Sequence, residues 1–156
     1  MIVKELKLEV RFNTKTNHVE MRKSAQTVDS IALQRAVDFL RAFAMGFEIG
    51  DAKTLIRMDE LFLESFNVND VKQTLKGDHK SRAVARIAGT GGRNKHVIEN
   101  FTKTRIVLAD TKVHILGTFQ NCRTARRAIC AEIMGAPVNK IHGTLRQIAE
   151  RMGDRY

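Results

Sequence analysis

From Glu5 to Phe12 the chain alternates strictly between polar and apolar residues. A period of two places Leu6, Leu8, Val10 and Phe12 on one face of a half-buried strand. Asn13 to Asn17 is polar turn material, and Val19 and Met21 resume the alternation, so a hairpin is expected. The period then lengthens. Leu33, Ala36, Val37, Leu40, Phe43, Ala44 and Phe47 recur at three-and-four spacing, the mark of one helix face, with Asp29 or Ser30 as its cap and Gly46 near its end. Asp51 should cap a second, short helix through about Met58, with Ala52, Leu55 and Ile56 inward.

Residues 61–68 read as a strand, and Gly77 with Asp78 opens a helix through about Ala88. The run Gly89-Thr90-Gly91-Gly92 interrupts helix on both sides and predicts a tight turn with little side chain. A helix follows to about Thr102, its buried face carried by Val97, Ile98 and Phe101. Residues 105–109 form a strand, Asp110 to Lys112 a short turn, and Val113 to Leu116 the returning strand. Asn121 should cap a helix to Met134, closed by Gly135 and Pro137. Its apolar stripe of Cys122, Ala125, Ile129, Cys130 and Ile133 puts both cysteines in the core, while Arg123, Arg126 and Arg127 fall mainly on other faces. A last helix is expected from Thr144 to about Met152, with Leu145, Ile148, Ala149 and Met152 inward. Strand, short turn, strand and long helix thus occur twice, at 5–46 and at 105–134.

Composition adds a division. The 156 residues carry 27 Lys+Arg against 17 Asp+Glu, a net charge of +10. Residues 1–78 hold 12 of each sign, whereas residues 79–156 hold 15 basic and 5 acidic ones. A neutral half followed by a basic half suggests two modules, the second facing a polyanion. No stretch approaches the ~18 apolar residues of a spanning helix, so no membrane partner is expected. Cys122 and Cys130 would stand roughly 12 Å apart along one helix, beyond disulfide reach. The histidines lack metal spacing, so neither a disulfide nor a zinc site is expected, and no cofactor is implied. No nucleophile or acid–base arrangement is recognisable either; Glu99 and Asp110 read as isolated surface and turn residues.

The glycine turn carries the candidate chemistry. No Gly-Lys-Ser/Thr follows it, which excludes a Walker loop, and the element before it is a helix rather than the strand of a dinucleotide fingerprint. A DNA-binding helix–turn–helix and a KH loop, whose Gly-x-x-Gly clamps a single-stranded backbone, remain. The register decides: Ile87, Gly89, Gly92, Ile98, Thr102, Ile106 and Leu108 resemble the KH signature. The order strand–helix–turn–helix–strand–strand–helix is that of the type I KH arrangement. A turn without Cβ atoms lets a sugar–phosphate backbone approach closely, and the amides opening the next helix favour an anion. Gly89, Thr90, Gly91 and Gly92 would therefore hold RNA, with Arg93 and Lys95 in the following helical turn and Arg82 and Arg86 on the preceding helix. Bases would lie over an aliphatic groove bordered by the strand of Arg105 and Ile106. Only Phe101, Phe119 and Tyr156 are aromatic after residue 78, which disfavours modules that stack bases on exposed rings.

The resemblance extends beyond the loop. Gly77 to His79, Arg86 to Gly89, Ile98 to Asn100, Thr104 to Asp110, Lys112 to Gly117 and Ala125-Arg126 resemble the partner-of-Nob family, the Dim-type pre-ribosomal KH factors. So do Phe39 to Gly46, Leu55 to Arg57 and Leu61 to Phe66. The resemblance implies an α+β fold of tandem type I KH domains: a partial, divergent one at 1–58, a complete one at 59–135, and a C-terminal helical extension at 136–156. It implies a non-enzymatic factor binding single-stranded precursor rRNA near the 3′ end of the small-subunit rRNA. Its partners would be the endonuclease of the final cut and other assembly factors. Its location would be the nucleolus and nucleus, extending to the cytoplasm with late pre-ribosomes. Thr90 stands where the family usually has Lys, and His96 where it often has an apolar residue. The strand and helices that normally precede the hairpin are absent, implying a fragment or a first domain completed elsewhere, leaning on the second domain or on neighbours. Two other classes compete: a protein scaffold using the 33–58 helices, and an RNA-binding accessory domain of an exosome-type complex.

Overall fold

The structure, a computed structural model, describes residues 2–27 and 30–153. The chain divides into two compact units, Met1–Asp59 and Glu60–Tyr156.

The first unit runs α1 (Ile2–Glu5), β1 (Leu8–Asn13), β2 (His18–Lys23), α2 (Ala32–Met45), α3 (Ile49–Ala52) and α4 (Thr54–Arg57). The hairpin forms in the register that the alternation demands, with Val10 opposite Met21 and Phe12 opposite Val19. It begins later than expected, because a helical turn precedes it and returns the Leu6 N–H to the Ile2 carbonyl at 3.1 Å. Its apolar face is only partly used. Leu6 and Leu8 are buried, but Val10 is 39% and Phe12 58% exposed. The opposite face is held by cross-strand ion pairs, Arg11 with Glu20 and Arg22 with Glu9.

The buried stripe of α2 is Ala32, Ala36, Phe39 and Ala42, rotated from the expected one; Phe43 and Ala44 are exposed. Alanine removes the Cβ-distal bulk, so this face can approach α4 closely, and the Arg35 guanidinium donates to the Ile56 carbonyl at 3.2 Å. Ile31 occupies the cap position; Asp29 lies outside the described residues. Gly46, at φ 111°, ends the helix, and the chain turns back to bury Phe47. The region expected as one helix after Asp51 is two short ones broken at Lys53. Asp51 lies inside the first of them, and Glu48 precedes it as cap residue.

The second unit runs β3 (Leu61–Asn67), α5 (Val68–Val71), α6 (Asp78–Ala88), a tight turn (Thr90–Gly92), α7 (Arg93–Thr102), β4 (Arg105–Ala109), β5 (Lys112–Thr118), α8 (Phe119–Ile133) and α9 (Val138–Gly153). The antiparallel sheet has the order β3-β5-β4. Phe66, Ile106, Val113 and Ile115 meet Ala83, Ile87, Ile98, Ala125 and Ile129 in one core. This is the strand–helix–turn–helix–strand–strand–helix order of a type I KH arrangement.

Several element ends differ from expectation. Helix α5 was not anticipated; its short run is fixed by a capping box in which Asn67 accepts the Asn69 N–H at 3.0 Å and Asp70 accepts the Asn67 N–H. Helix α8 begins at Phe119, with Thr118 rather than Asn121 as its cap. Helix α9 starts at Val138, six residues before the expected Thr144, and buries Ile141 with Leu145 while Met152 is exposed. Pro137 pre-sets that start and its carbonyl accepts the Ile141 N–H at 3.2 Å. In α7 the inward residues are Asn94, Ile98, Glu99 and Thr102; Val97 and Phe101 are half-buried. Cys122 is buried and Cys130 half-buried; burial pushes the Cys122 thiol up to about 11, so it is a neutral packing group. No described helix is long and apolar enough to cross a membrane.

Candidate nucleic-acid interface

The turn between α6 and α7 depends on glycine in two different ways. Gly89 adopts φ 75°, ψ 175°, and a Cβ there would stand 2.8 Å from the Asn94 Cβ and 2.9 Å from its backbone N. Gly91 (φ 63°) needs glycine's freedom in the left-handed region but faces open space. Gly92, also left-handed, caps α7 without a side-chain hydrogen bond. Thr90 and Gly91 are exposed. The turn therefore presents a helix N-terminus with its amides and dipole toward solvent, with little side chain in the way.

Asn94 holds this turn from beneath. Its buried side-chain amide donates to the Ile87 carbonyl at 2.9 Å, the Arg86 carbonyl at 3.2 Å and Glu132 Oε1 at 2.6 Å. His142 Nε2 donates to the Asn94 amide oxygen at 2.6 Å. One side chain thus ties the last carbonyls of α6, the start of α7, and residues of α8 and α9. Burial pushes the Glu132 carboxyl above the usual carboxylate range, against the Asn94 bond and the nearby Arg86 charge, and its Oε2 is buried without a partner. No motif or charge pattern in the sequence singles out Asn94, Glu132 or His142. The available signal was a polar residue in the inward stripe, Asn94 lying four before Ile98.

The expected cations divide into two groups. Arg82 and Arg86 are exposed on α6, and with Lys72, Leu75, His79 and Thr90 they border a concavity of about 730 Å³ that reaches the turn. The sequence pattern does not single out Lys72, which only the fold-back of α5 brings beside α6; His79 lies in the first turn of α6 itself. Arg93 is exposed in the first turn of α7. Lys95 and Arg105 gather instead around Glu99, at 4.0 and 3.9 Å, together with His96 at 3.2 Å. Glu99 is therefore not an isolated surface group: it is buried and accepts the Ile106 N–H at 2.9 Å. Asp110 is exposed in the β4–β5 turn, as expected.

The Ile106 side chain is 2% exposed within the core, so at this position only the backbone could face a base. Strand β4 nevertheless lies at the sheet edge. Since Glu99 takes the Ile106 N–H from the edge side, the two-residue period places the Leu108 N–H and C=O on that same edge. Backbone hydrogen bonding to a base would use Leu108 rather than the Ile106 amide. Among the described residues no group of three or more His, Cys, Asp or Glu could hold a metal ion.

Counted by unit, the net charge is +2 for 1–59 and +8 for 60–156. The basic excess therefore lies in the unit that contains the turn.

Comparison with known proteins agrees with this fold. Residues 65–150 match the profile of a eukaryotic type KH-domain (KH-domain type I), the second such domain of PNO1. The chain is 57% identical over 155 residues to an RNA-binding protein pno1 of Ixodes scapularis, covering 99% of this chain and 66% of that protein. It is 53% identical over 155 residues to a pre-rRNA-processing protein PNO1 of Debaryomyces hansenii, covering 99% and 60%. It thus spans less than two thirds of the length of these relatives. A crystal structure of Dim2p from Pyrococcus horikoshii superposes with a TM-score of 0.80 at 25% identity, covering 94% of this chain and 84% of that one. A chain of the a/eIF2alpha–aDim2p–rRNA complex from the same organism superposes with a TM-score of 0.83 at 24% identity, covering 96% and 81%. With a profile match over more than half its residues, the chain belongs to the PNO1 family of type I KH-domain proteins.

Proposed function

We propose that this chain is a non-catalytic RNA-binding factor of small ribosomal subunit assembly, gripping single-stranded precursor rRNA at the Gly89–Gly92 turn. The observation that carries the reading is the open glycine turn itself: an α7 N-terminus with no side-chain cap, flanked by exposed Arg82, Arg86 and Arg93. The strand's phosphates sit on the turn amides, and its bases run toward the open edge of β4. The relatives' names, RNA-binding protein and pre-rRNA-processing protein, support the substrate class. The crystallised neighbour's complex contains rRNA, which supports it too. In the finer form of the reading, the bound segment lies near the 3′ end of the precursor. The chain there positions the endonuclease that makes the final cut, in the nucleolus and nucleus and on late cytoplasmic pre-ribosomes.

The test changes Thr90 and Gly91 both to Asp; both positions are exposed, and Gly91 faces open space. Affinity for a single-stranded small-subunit 3′ precursor RNA should fall at least about tenfold, with the unfolding transition retained. Each lost phosphate contact should also lower the log–log salt slope by about 0.7. Unchanged affinity and slope would overturn the role of the turn. A cleavage assay with the purified endonuclease, comparing wild type and variant, tests the positioning role separately.

A further inference from the structure

The second unit carries a further surface on the β3 edge of the sheet, opposite β4. Phe62 on β3 and Phe119 at the start of α8 are 52% and 59% exposed, yet they touch edge to face, ring centroids 6.0 Å apart at 70°. A cavity of about 600 Å³ opens beside them, floored by Leu63, Cys122 and Cys130. Its charge is one-sided. Glu64, the one carboxylate in the lining, is bound by Arg126, which in turn lies over the Phe66 ring. Arg123, stacked at 5.7 Å over Phe119, and Arg127 then add two positive charges to the rim that no lining carboxylate offsets.

We propose that this cavity is a protein-docking site for an acidic peptide segment that inserts one bulky apolar side chain between Phe62, Phe119 and the thiol floor. Exposed aromatics backed by arginines are what interface centres are made of, and an uncompensated positive rim selects carboxylates around the anchor. A nucleic acid fits worse. The floor of Leu63, Cys122 and Cys130 offers no strong hydrogen-bonding group to read a base edge, and burial keeps both thiols neutral. The sheet order puts β3 and β4 on opposite edges, so a strand held at the glycine turn and β4 enters on the other side. The proposal does not depend on the RNA reading, and either can fail alone.

The experiment pans a random dodecapeptide display library against the full chain, with the Phe62→Ala/Phe119→Ala double variant as counter-selection. Both rings are more than half exposed, and circular dichroism and a urea midpoint check that the variant folds. Selected sequences should carry net negative charge around a Phe, Leu, Ile or Trp. Fluorescence anisotropy of the best labelled peptide should show at least a tenfold loss on the double variant and about a fivefold loss on Arg127→Glu. Single-stranded RNA affinity should be unchanged by the double variant. Three results would each overturn the proposal: no enrichment of acidic–apolar sequences, binding indifferent to the two phenylalanines and Arg127, or RNA affinity that falls with the aromatic pair. If the double variant loses its unfolding transition, Arg127→Glu and Arg123→Glu, both exposed, serve as the counter-selection instead.

Discussion

The two units contain the same local sentence, hairpin then helix, and finish it differently. In β4–β5–α8 the inward strand residues Ile106, Val113 and Ile115 are at most 2% exposed. In β1–β2–α2 the equivalent alternation leaves Val10, Phe12 and Val19 at 39%, 58% and 42%. Both patterns are equally apolar by period. The difference is that α6 and α7 join α8 over the sheet of the second unit, whereas the ribbon of the first unit has only two strands. An alternating pattern therefore specifies which residues share a face. It does not specify that the face is covered.

The largest expected effect separates the two hairpins. Ile115→Ala should lower the stability of the second unit by about 3–4 kcal/mol, because a fully enclosed site cannot collapse around the void. Phe12→Ala should change stability by less than about 1 kcal/mol, since most of the ring already meets solvent. Urea unfolding of both variants checks this, and equal losses would break the comparison.

The glycine turn gives the next contrast. Gly89→Ala should cost about 2–3 kcal/mol, because the new methyl meets Asn94 backbone in a region of φ/ψ that only glycine occupies comfortably. Gly91→Ala, left-handed but facing open space, should cost only about 1 kcal/mol. The same unfolding measurement serves, and equal costs would mean that Asn94 does not set the turn. The Thr90→Asp/Gly91→Asp test of RNA affinity falls at a similar size, about 1.4 kcal/mol for a tenfold change.

The smallest effect concerns the buried carboxyl beneath the turn. Burial raises the Glu132 pKa in the folded chain, so the folded state holds that proton more tightly than the unfolded state. The stability this gives is present below the ordinary carboxylate value and is lost as pH rises from about 4.5 through the raised value. Glu132→Gln keeps an acceptor for Asn94 and removes the charge. Its stability relative to wild type should therefore increase with pH from about 4.5 upward. His114, buried against Ser65 with its pKa pushed down by burial, destabilises on acidification in both proteins and cancels in the difference. A difference flat in pH would place the Glu132 carboxyl in an environment no drier than water.

Much of the fold follows from local rules. Periods of two and of three-and-four placed β3, α6, α7, β4 and β5 within a residue or two, because each element buries a face and the chain cannot do so without repeating apolar side chains at that element's period. Missed or shifted elements were the ones held by single hydrogen-bonding groups rather than by periodicity: α5 by the Asn67–Asp70 box, α8 by Thr118, and the early start of α9 by Pro137. The site divides along the same line. Gly89 to Gly92, Arg82, Arg86 and Arg93 were legible because glycine spacing and charge are sequence properties. The diversion of Lys95 and Arg105 to Glu99 was not, and neither was the inward placement of Ile106 or the Asn94 tie to Glu132 and His142. Those depend on which groups from distant segments arrive within about 3–4 Å of each other. By itself the sequence determined the turn and the sign of its surroundings, while the segment 136–156, expected as an extension, belongs to the second unit. Only the tertiary structure decided which polar residues are buried and paired, since hydrogen bonds and ion pairs act at contact range and no period in the chain encodes a contact 38 or 48 residues away.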